Sequence, residues 1–341
     1  MSQDSPSRLR AVAAGISDVG LQRDHNEDSF AILNDQELYV VADGMGGHRA
    51  GDVASRLATD AIIDFFRATA CDDVTWPFHF DARLSEEENR LLTGIRIANK
   101  QIVERSARSR ECHGMGTTVV GALFSPRKHR MYIGHVGDSR AYRVRDGEIR
   151  LMTRDHSLVN DYLLAMPELS EEQRSELPKN VITRALGMQD HVTVDLQSDE
   201  AQAGDLYVLC SDGLSGMIED WEILDVVRNT PDLYESCRKL VTMANEHGGE
   251  DNITAVIVRI DVAPTETLRP EQLAEGTGAQ GSGGPSPLTT TADLEPVSAG
   301  TVALSDTPPA TPVVRSAEEA GPAANAPERG ASSGGGSNGE G

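Results

Sequence analysis

The sequence predicts an α+β fold built around antiparallel β-sheet. Short apolar runs follow one another between residues 116 and 151 without a helix between them, and Asp146-Gly147 is a two-residue hairpin signal. Apolar stripes with helical spacing lie on either side of this stretch, at 51–69, 85–106, 222–228 and 232–246. Consecutive strands without intervening helices argue against a doubly wound parallel sheet.

The other elements are predicted from apolar runs and from the residues that bound them. We expect strands at 10–18, 30–33, 38–42, 119–124, 131–136, 141–144, 148–151, 192–196, 206–210 and 253–260. The helix after Ser85 begins with a capping box that ends at Glu88, and Gly248-Gly249 ends the last helix. Residues 156–180 are polar and irregular, which predicts a flap beside the sheet.

Composition divides the chain into three parts. Residues 1–9 are expected to be a flexible N-terminus, and 10–261 one folded domain. After Val262, Pro, Gly, Ser, Thr and Ala dominate and aromatic residues are absent. Such a segment buries too little apolar surface to offset its ordering entropy, so 262–341 is predicted to be a disordered tail.

Charge and cysteine usage exclude several classes of protein. The 341 residues carry a formal net charge of −23, which argues against nucleic acid and against an anionic membrane surface as partners. We find neither a signal peptide nor an apolar run of the ~20 residues that a spanning helix needs. Cys71, Cys112, Cys210 and Cys237 lack zinc-site spacing, and we interpret Cys210 and Cys237 as reduced core residues of a cytoplasmic protein.

One strand end is the first candidate for a functional site. The apolar run 38–42 stops at Asp43, and Gly44, Gly46 and Gly47 come directly after it. Taken alone, Asp-Gly after a strand is typical of a tight turn. Glycine at such a place also lets the backbone approach a bound ion or phosphate closely.

The same pattern recurs elsewhere, and the recurrence favours a metal site. Asp138 and Asp212 each follow an apolar strand, whereas Asp251 precedes one. The acidic pair Glu27-Asp28 comes shortly after Arg23. Hard divalent cations such as Mg²⁺ and Mn²⁺ prefer carboxylate, carbonyl and water oxygens. We therefore expect these acids to converge into a cluster of oxygen ligands.

In this order, the motifs resemble the metal-dependent serine/threonine protein phosphatases, the PPM or type 2C family, and its bacterial branch above all. The resemblance covers about residues 10–261 and rests on Arg23 with Asn26–Ser29, Val41–Gly47, Gly116–Thr118, Gly134–Arg140, Asp155–Ser157, Asn180–Gly187, Ser211–Gly213 and Asp251–Thr254. It implies a PPM-type catalytic domain with a four-layer α/β/β/α sandwich fold, in which two antiparallel sheets form the centre.

The resemblance also implies a site of two Mn²⁺ or Mg²⁺ ions. Asp43 would bridge both ions, the Gly44 carbonyl would bind one, and Asp212 and Asp251 would complete the other. Arg23 would bind the substrate phosphate through its guanidinium. Three further acids would stand around this centre: Glu27 and Asp28, which hold water bound to the ions, and Asp138, which with Asp212 resembles the pair that binds a third ion in bacterial members.

The implied activity is hydrolysis of phosphoserine and phosphothreonine in proteins by in-line attack of a water activated between the two ions. Such an enzyme opposes bacterial serine/threonine kinases, and we expect a monomer. Two alternatives stay open at this point. One is a pseudophosphatase that binds without turnover, although retention of the acids and Arg23 disfavours it. The other is a two-metal phosphoesterase for small phosphates.

The sequence departs from the family pattern in two places. Met45 stands where some eukaryotic members carry a histidine proposed as the general acid, and a thioether cannot donate a proton. A water on the metal ions or His156 could take that role, although a merely structural role is the favoured interpretation of His156. The segment 71–83 is longer than we expect for compact bacterial members.

Overall fold

The computed structural model describes residues 8–46, 50–70, 78, 80–166, 168, 170, 173, 177–178 and 181–264. The strands are β1 Leu9–Asp18, β2 Asp28–Leu33, β3 Leu38–Met45, β4 Gly116–Thr117, β5 Val119–Ser125, β6 Arg130–Val136, β7 Arg140–Arg145, β8 Glu148–Leu151, β9 Asp195–Glu200, β10 Leu206–Cys210 and β11 Ile253–Val262. The α-helices are α1 Ala50–Ala68, α2 Glu86–Arg108, α3 Leu158–Ala165, α4 Asp212–Ser215, α5 Asp220–Asn229 and α6 Leu233–Glu246.

The strands form two antiparallel sheets. The first sheet has the order β1-β11-β10-β7-β8, and the second has the order β2-β3-β5-β6-β9 with β4 paired to the end of β3. Three apolar cores separate four layers. Helices α1 and α2 pack on the second sheet, α5 and α6 pack on the first, and the third core lies between the sheets. The predicted four-layer α/β/β/α sandwich is confirmed.

Strand β3 is buried on both faces, which explains why its sequence is a continuous apolar run. Leu38, Val40 and Ala42 face the helical core, whereas Tyr39 and Val41 face the other sheet. All five are 0% exposed, so a polar residue on either face would be buried. The alternation of apolar and polar residues seen in strands with one exposed face is therefore absent. Burial on both faces holds the end of β3, and hence Asp43, in a fixed position.

Two expectations about secondary structure were wrong. The strand predicted at 192–196 lies instead at Asp195–Glu200, a polar edge strand that pairs only with β6. Its register follows backbone pairing rather than an apolar pattern, which is why the apolar residues just before it misled the prediction. The flap predicted as irregular contains α3, which Ser157 caps by accepting a hydrogen bond from the Asn160 amide.

Other expectations concern residues that are only partly described. Most of the segment 71–83 and nearly all of the predicted tail 262–341 lie outside the described residues, as do residues 1–7 and Cys71. Cys112, Cys210 and Cys237 are buried free thiols. Among the described helices, none combines the length and the apolar character needed to cross a bilayer.

Candidate metal centre

One edge of the first sheet carries three of the predicted acids. Cys210, the last residue of β10, pairs with Arg140 at the start of β7 and with Ala255 near the start of β11. Asp212 comes shortly after Cys210, Asp138 precedes Arg140, and Asp251 precedes β11. The antiparallel register therefore brings three acids that are distant in sequence to the same end of the sheet.

The second sheet contributes two further acids at the same end. Asp28 and Asp43 are direct partners in the β2–β3 register. Thr118 holds the backbone of Asp43 on both sides: its hydroxyl accepts from the Asp43 amide at 3.1 Å, and its amide donates to the Asp43 carbonyl at 2.8 Å. The side chains of Asp43 and Asp212, one from each sheet, are close enough for each to shift the pKa of the other.

Two glycines allow this close approach of backbone segments. A Cβ on Gly44 would lie 2.2 Å from the carbonyl oxygen of Gly51 and 2.4 Å from that of Glu27. A Cβ on Gly213 would lie 2.1 Å from the carbonyl oxygen of Asn252. Any side chain at these positions would push apart the segments that carry the acids.

The carboxyl groups are crowded enough to disturb their ionisation. Burial and then the charges of Asp28 and Asp212 raise the pKa of Asp43 well above its usual range. Burial also raises the pKa of Asp28 and that of Asp138 to about 7, with a further contribution from the Asp212 charge in both cases. Burial is also the main cause that raises the pKa of Asp212. These raised pKa values are typical of acids grouped around a place for a cation.

Unpaired oxygens show that a divalent cation fits the donor set. One carboxyl oxygen each of Asp28, Asp138 and Asp212 is buried without a hydrogen-bond partner among the described residues. Buried polar atoms are normally paired, so three acceptors of this kind fit a positively charged partner. Carboxylate and carbonyl oxygens are the ligands that Mg²⁺ and Mn²⁺ prefer.

Arg23 lies at the rim of this cluster. Its Nη2 is 2.6 Å from Oδ2 of Asp251, and its Nε donates to the carbonyl of Glu250 at 3.3 Å. The Arg23 side chain is 50% exposed, so the guanidinium stands between solvent and the acids. It therefore presents a positive charge to solvent at the rim of the acids.

Glu27 is placed beside the acids mainly by its backbone. Its amide donates to Oδ1 of Asn252 at 2.7 Å, and its carbonyl accepts from the Gly44 amide at 3.1 Å. Burial raises the pKa of the Glu27 carboxyl, against an opposing effect of Arg23. Strand register, hydrogen bonds and mutual effects on pKa thus place the predicted site residues at the same end of the two sheets: Arg23, Glu27, Asp28, Asp43, Gly44, Asp138, Asp212 and Asp251.

Sequence reasoning missed a set of neutral polar residues that orient the acids. Thr254 is 0% exposed, and its hydroxyl donates to Oδ2 of Asp28 at 2.6 Å. Ser17 and Asn26 extend this chain of hydrogen bonds, at 2.7 and 2.8 Å. Asn26 and Thr254 lie in the motifs used for the resemblance. The sequence could therefore have indicated them, because each is a hydroxyl or amide residue within three positions of a predicted acid.

The structure also bears on the open question of the general acid. The side chain of Met45 lies beside Gly116 and has no proton to donate. His156 is 2% exposed, and its Nδ1 accepts a hydrogen bond from the Gly137 amide at 3.0 Å. Because His156 is enclosed in this way, it is not suited to protonate a leaving group in solvent.

A sandwich of two antiparallel sheets with acids at one edge is the architecture implied for a phosphatase that depends on divalent cations. The family model for protein phosphatase 2C matches residues 22–256. The chain therefore belongs to the protein phosphatase 2C family, and the predicted family and enzyme class, a hydrolase of phosphate esters, are confirmed.

Two of the similar proteins are bacterial phosphatases. The chain is 40% identical over 248 residues to the serine/threonine phosphatase stp of Listeria welshimeri, covering 71% of this chain and 93% of that protein. It is 33% identical over 254 residues to the protein phosphatase PhpP of Streptococcus pneumoniae, covering 74% of this chain and 98% of that protein.

Solved structures agree with the fold and with the predicted cofactor. The Mycobacterium tuberculosis serine/threonine phosphatase PstP/Ppp is similar with a TM-score of 0.63 and 35% identity, over 74% of this chain and 99% of that one. A structure of the PstP catalytic domain in complex with two manganese ions has a TM-score of 0.63 and 34% identity, over 74% and 99% of the two chains. The predicted pair of Mn²⁺ or Mg²⁺ ions is confirmed at the level of the family.

Proposed function

We propose that the chain removes phosphate from phosphoserine and phosphothreonine in proteins with the help of two Mn²⁺ or Mg²⁺ ions. The observation that carries the proposal is the convergence of acids that each have one buried, unpaired oxygen, at Asp28, Asp138 and Asp212, near an exposed guanidinium at Arg23. The acids hold cations, and the guanidinium holds the phosphate.

Each acid has its own role in this proposal. Asp43 would bridge the two ions, the carbonyl of Gly44 would bind one, and Asp212 and Asp251 would bind the other. When bound, such a pair of ions supplies a water nucleophile at neutral pH and neutralises charge on the phosphoryl group. Asp138 would share a third ion with Asp212.

Three residues would act around the ions. Arg23 would bind and orient the phosphoryl oxygens, because a guanidinium matches two of them at once. Glu27 and Asp28 would orient water at the edge of the cluster. Thr254 helps Asp28 to do so by donating to one of its oxygens and leaving the other free.

The alternatives are weaker. A pseudophosphatase has no need for four acids whose pKa values are raised by burial and mutual repulsion, since neutral residues would fold more easily there. A phosphoesterase for small phosphates shares the same site, and the relatives named as protein phosphatases favour protein substrates. We further propose a cytoplasmic monomer that opposes serine/threonine kinases, with residues 10–261 as its catalytic domain and 262–341 as a disordered tail.

The full chain should release phosphate from phosphoserine and phosphothreonine peptides in the presence of Mn²⁺ and release far less from a phosphotyrosine peptide. The activity should vanish in EDTA, because the acids alone supply no activated nucleophile. Measurement of inorganic phosphate with the three peptides, with and without Mn²⁺, tests this. Undiminished turnover in EDTA would overturn the metal assignment, and activity confined to small phosphate esters would favour the alternative substrate class.

Replacement of Arg23 by alanine should lower kcat/KM for the phosphothreonine peptide by about 10- to 150-fold, since hydrogen bonds to charged groups contribute about 1.5–3 kcal/mol. Arg23→Lys should recover part of this loss, because it keeps the charge but not the planar fork. Steady-state kinetics of both variants with Mn²⁺ measure the effect.

Arg238→Ala is the matched control for this substitution. Arg238 and Glu235 form an ion pair on α6 with side chains 58% and 37% exposed, close to the 50% and 36% of Arg23 and Asp251. If the two alanine variants lost activity equally, phosphate binding by Arg23 would be refuted.

A further inference from the structure

A second cluster of chemically active side chains lies beside the candidate metal centre. Ligand atoms of His135, His156 and Asp195 all lie within 4.8 Å of one another. The two imidazole rings are stacked, with centroids 4.8 Å apart and planes 10° apart, and they are 3% and 2% exposed. Neither histidine was given a firm role by the sequence or by the proposed function.

The residue types are those of a metal site, but the hydrogen bonds argue against one. The Gly137 amide donates to Nδ1 of His156, so the proton of the neutral ring sits on Nε2, the atom that would have to bind a metal. The guanidinium of Arg184 is 3.0 Å from that Nε2 and 2.8 Å from Oδ1 of Asp195. His135 keeps one unpaired nitrogen, Nδ1, among the described residues. One free imidazole nitrogen and a carboxylate already paired with arginine make a poor cation site.

The cluster instead holds one glycine by both of its backbone groups. The Gly137 amide donates to Nδ1 of His156 at 3.0 Å, and the Gly137 carbonyl accepts from the His156 amide at 2.9 Å. Gly137 has a φ of +108°, and a Cβ there would lie 2.6 Å from Thr118. Only glycine fits this conformation and this space, and such a turn needs external support to stay fixed.

Asp138 is the next residue after this turn. It lies between the end of β6 and the start of β7, and its buried carboxyl has an unpaired oxygen. The charge of Asp212 contributes to its raised pKa, so the two carboxyl groups act on each other. The direction of the Asp138 side chain therefore depends on the conformation of Gly137, and His156 is the side chain that fixes that conformation.

His156 is itself anchored on its far side. Its Nε2 is 3.3 Å from Oδ2 of Asp195 at the start of β9, and the Arg184 guanidinium binds the other oxygen of Asp195. The His156 carbonyl accepts from the Thr183 amide at 2.9 Å. The imidazole is thus a rigid link between the Gly137 turn and the segment that returns from the flap.

We propose that His156 is a positioning residue for Asp138: through Gly137 it aims the Asp138 carboxyl at Asp212, where a third divalent cation binds. The proposal rests on the proposed function, since the third ion is part of it. His156 touches neither substrate nor cation and acts through the turn alone. Its contact with Asp195 holds the ring in place but does not aim the carboxyl.

Two substitutions separate the two nitrogens of the ring. In His156→Asn the amide oxygen can take the place of Nδ1 and accept from Gly137, while the contact with Asp195 is lost. In His156→Gln the amide reaches the place of Nε2 and keeps Asp195, while the Gly137 amide loses its acceptor. If His156 only stabilised the fold, glutamine should be tolerated better than asparagine, because glutamine is closer to histidine in size.

The test is Mn²⁺ binding by the full chain, followed as loss of the free-ion signal in electron paramagnetic resonance. Asp138→Ala serves as the reference, because it should lose one weaker ion and retain the two tight ones. We expect His156→Gln to weaken the binding of that ion at least about tenfold. This is the lower end of the effect measured for groups that orient a metal ligand. His156→Asn should stay within about threefold of the wild-type chain, and thermal unfolding in EDTA checks that both variants fold.

The outcomes are distinguishable. The proposal is overturned if His156→Gln and His156→Asn weaken binding of the third ion equally, or if His156→Asn weakens it more. It is also overturned if Asp138→Ala still binds every ion. If the wild-type chain binds no tight pair of ions, the proposed function itself fails. If the tight pair and turnover persist and the third ion alone responds to glutamine, the positioning role is supported.

Discussion

With Asp43 replaced by asparagine, Mn²⁺-dependent release of phosphate from a phosphothreonine peptide is expected to fall by at least about 100-fold. Asp43 pairs with Asp28 in the strand register, and the charges of Asp28 and Asp212 help to raise its pKa, so in the proposed centre its charge would be the one that a pair of cations shares. Removal of a group that only orients a metal ligand costs up to about 100-fold in affinity or activity, and loss of a direct ligand should cost no less. Phosphate release at saturating Mn²⁺ measures the effect.

Asp212→Asn should behave in the same way, and Asp146→Asn provides the control. Asp146 is exposed in the β7–β8 hairpin, at the opposite end of the strand from Asp138, and its φ of +52° suits asparagine. Without metal, Asp43→Asn should unfold at a higher temperature than the wild-type chain, because it removes a repelled buried charge. Activity that survives in both site variants would refute the metal assignment, while a lower unfolding temperature in EDTA would mean that the fold needs the carboxylate.

The positions of the acids could be predicted because each lies next to an apolar strand. Asp43, Asp138, Asp212 and Asp251 stand where a run of buried residues stops or starts, and the ends of neighbouring antiparallel strands meet at one edge. The resemblance then supplied the pairing of the sheets. What the sequence alone could not supply was the register, such as the pairing of Asp28 with Asp43, which depends on contacts between distant segments.

Residues that act through backbone groups escaped prediction. Thr118 hydrogen-bonds the backbone of Asp43, Thr254 donates to a carboxyl oxygen of Asp28, and His156 hydrogen-bonds the Gly137 turn before Asp138. No pattern of apolar spacing marks such a contact. The edge strand β9 was misplaced for a related reason, because its side chains are half-exposed and only its backbone pairing with β6 defines it.

In EDTA, the stability of the chain is expected to fall as the pH rises from 5 to 8. The folded-state pKa values of Asp28 and Asp138 are about 7, and those of Asp43 and Asp212 are also raised. An unfolded aspartate releases its proton near pH ~4. The folded state therefore binds more protons than the unfolded state between about pH 4 and 7. The free energy of unfolding is highest at the acidic end of this range, and the loss is complete above pH ~7.

Two histidines oppose this trend in part of the range. Burial lowers the pKa of His135 and of His156, so below about pH 6.5 the unfolded chain binds more protons at these sites and stability rises with pH. Four acids outweigh two histidines below that pH, and above it the acids act alone. Unfolding temperatures measured at half-unit steps should thus fall between about pH 5 and 7 and level off above that range.

Saturating Mn²⁺ should remove this dependence, because cations replace the protons that the acids share and binding of the metal displaces protons. Asp28→Asn isolates one acid: its amide oxygen can still accept from Thr254, and the slope in EDTA should decrease by up to about one proton, or about 1.4 kcal/mol per pH unit. Asp146→Asn should leave the slope unchanged. A flat or rising unfolding temperature in EDTA between about pH 5 and 7 would show that the carboxyl groups do not retain protons in the folded state, and the physical case for a cluster that requires cations would then fail.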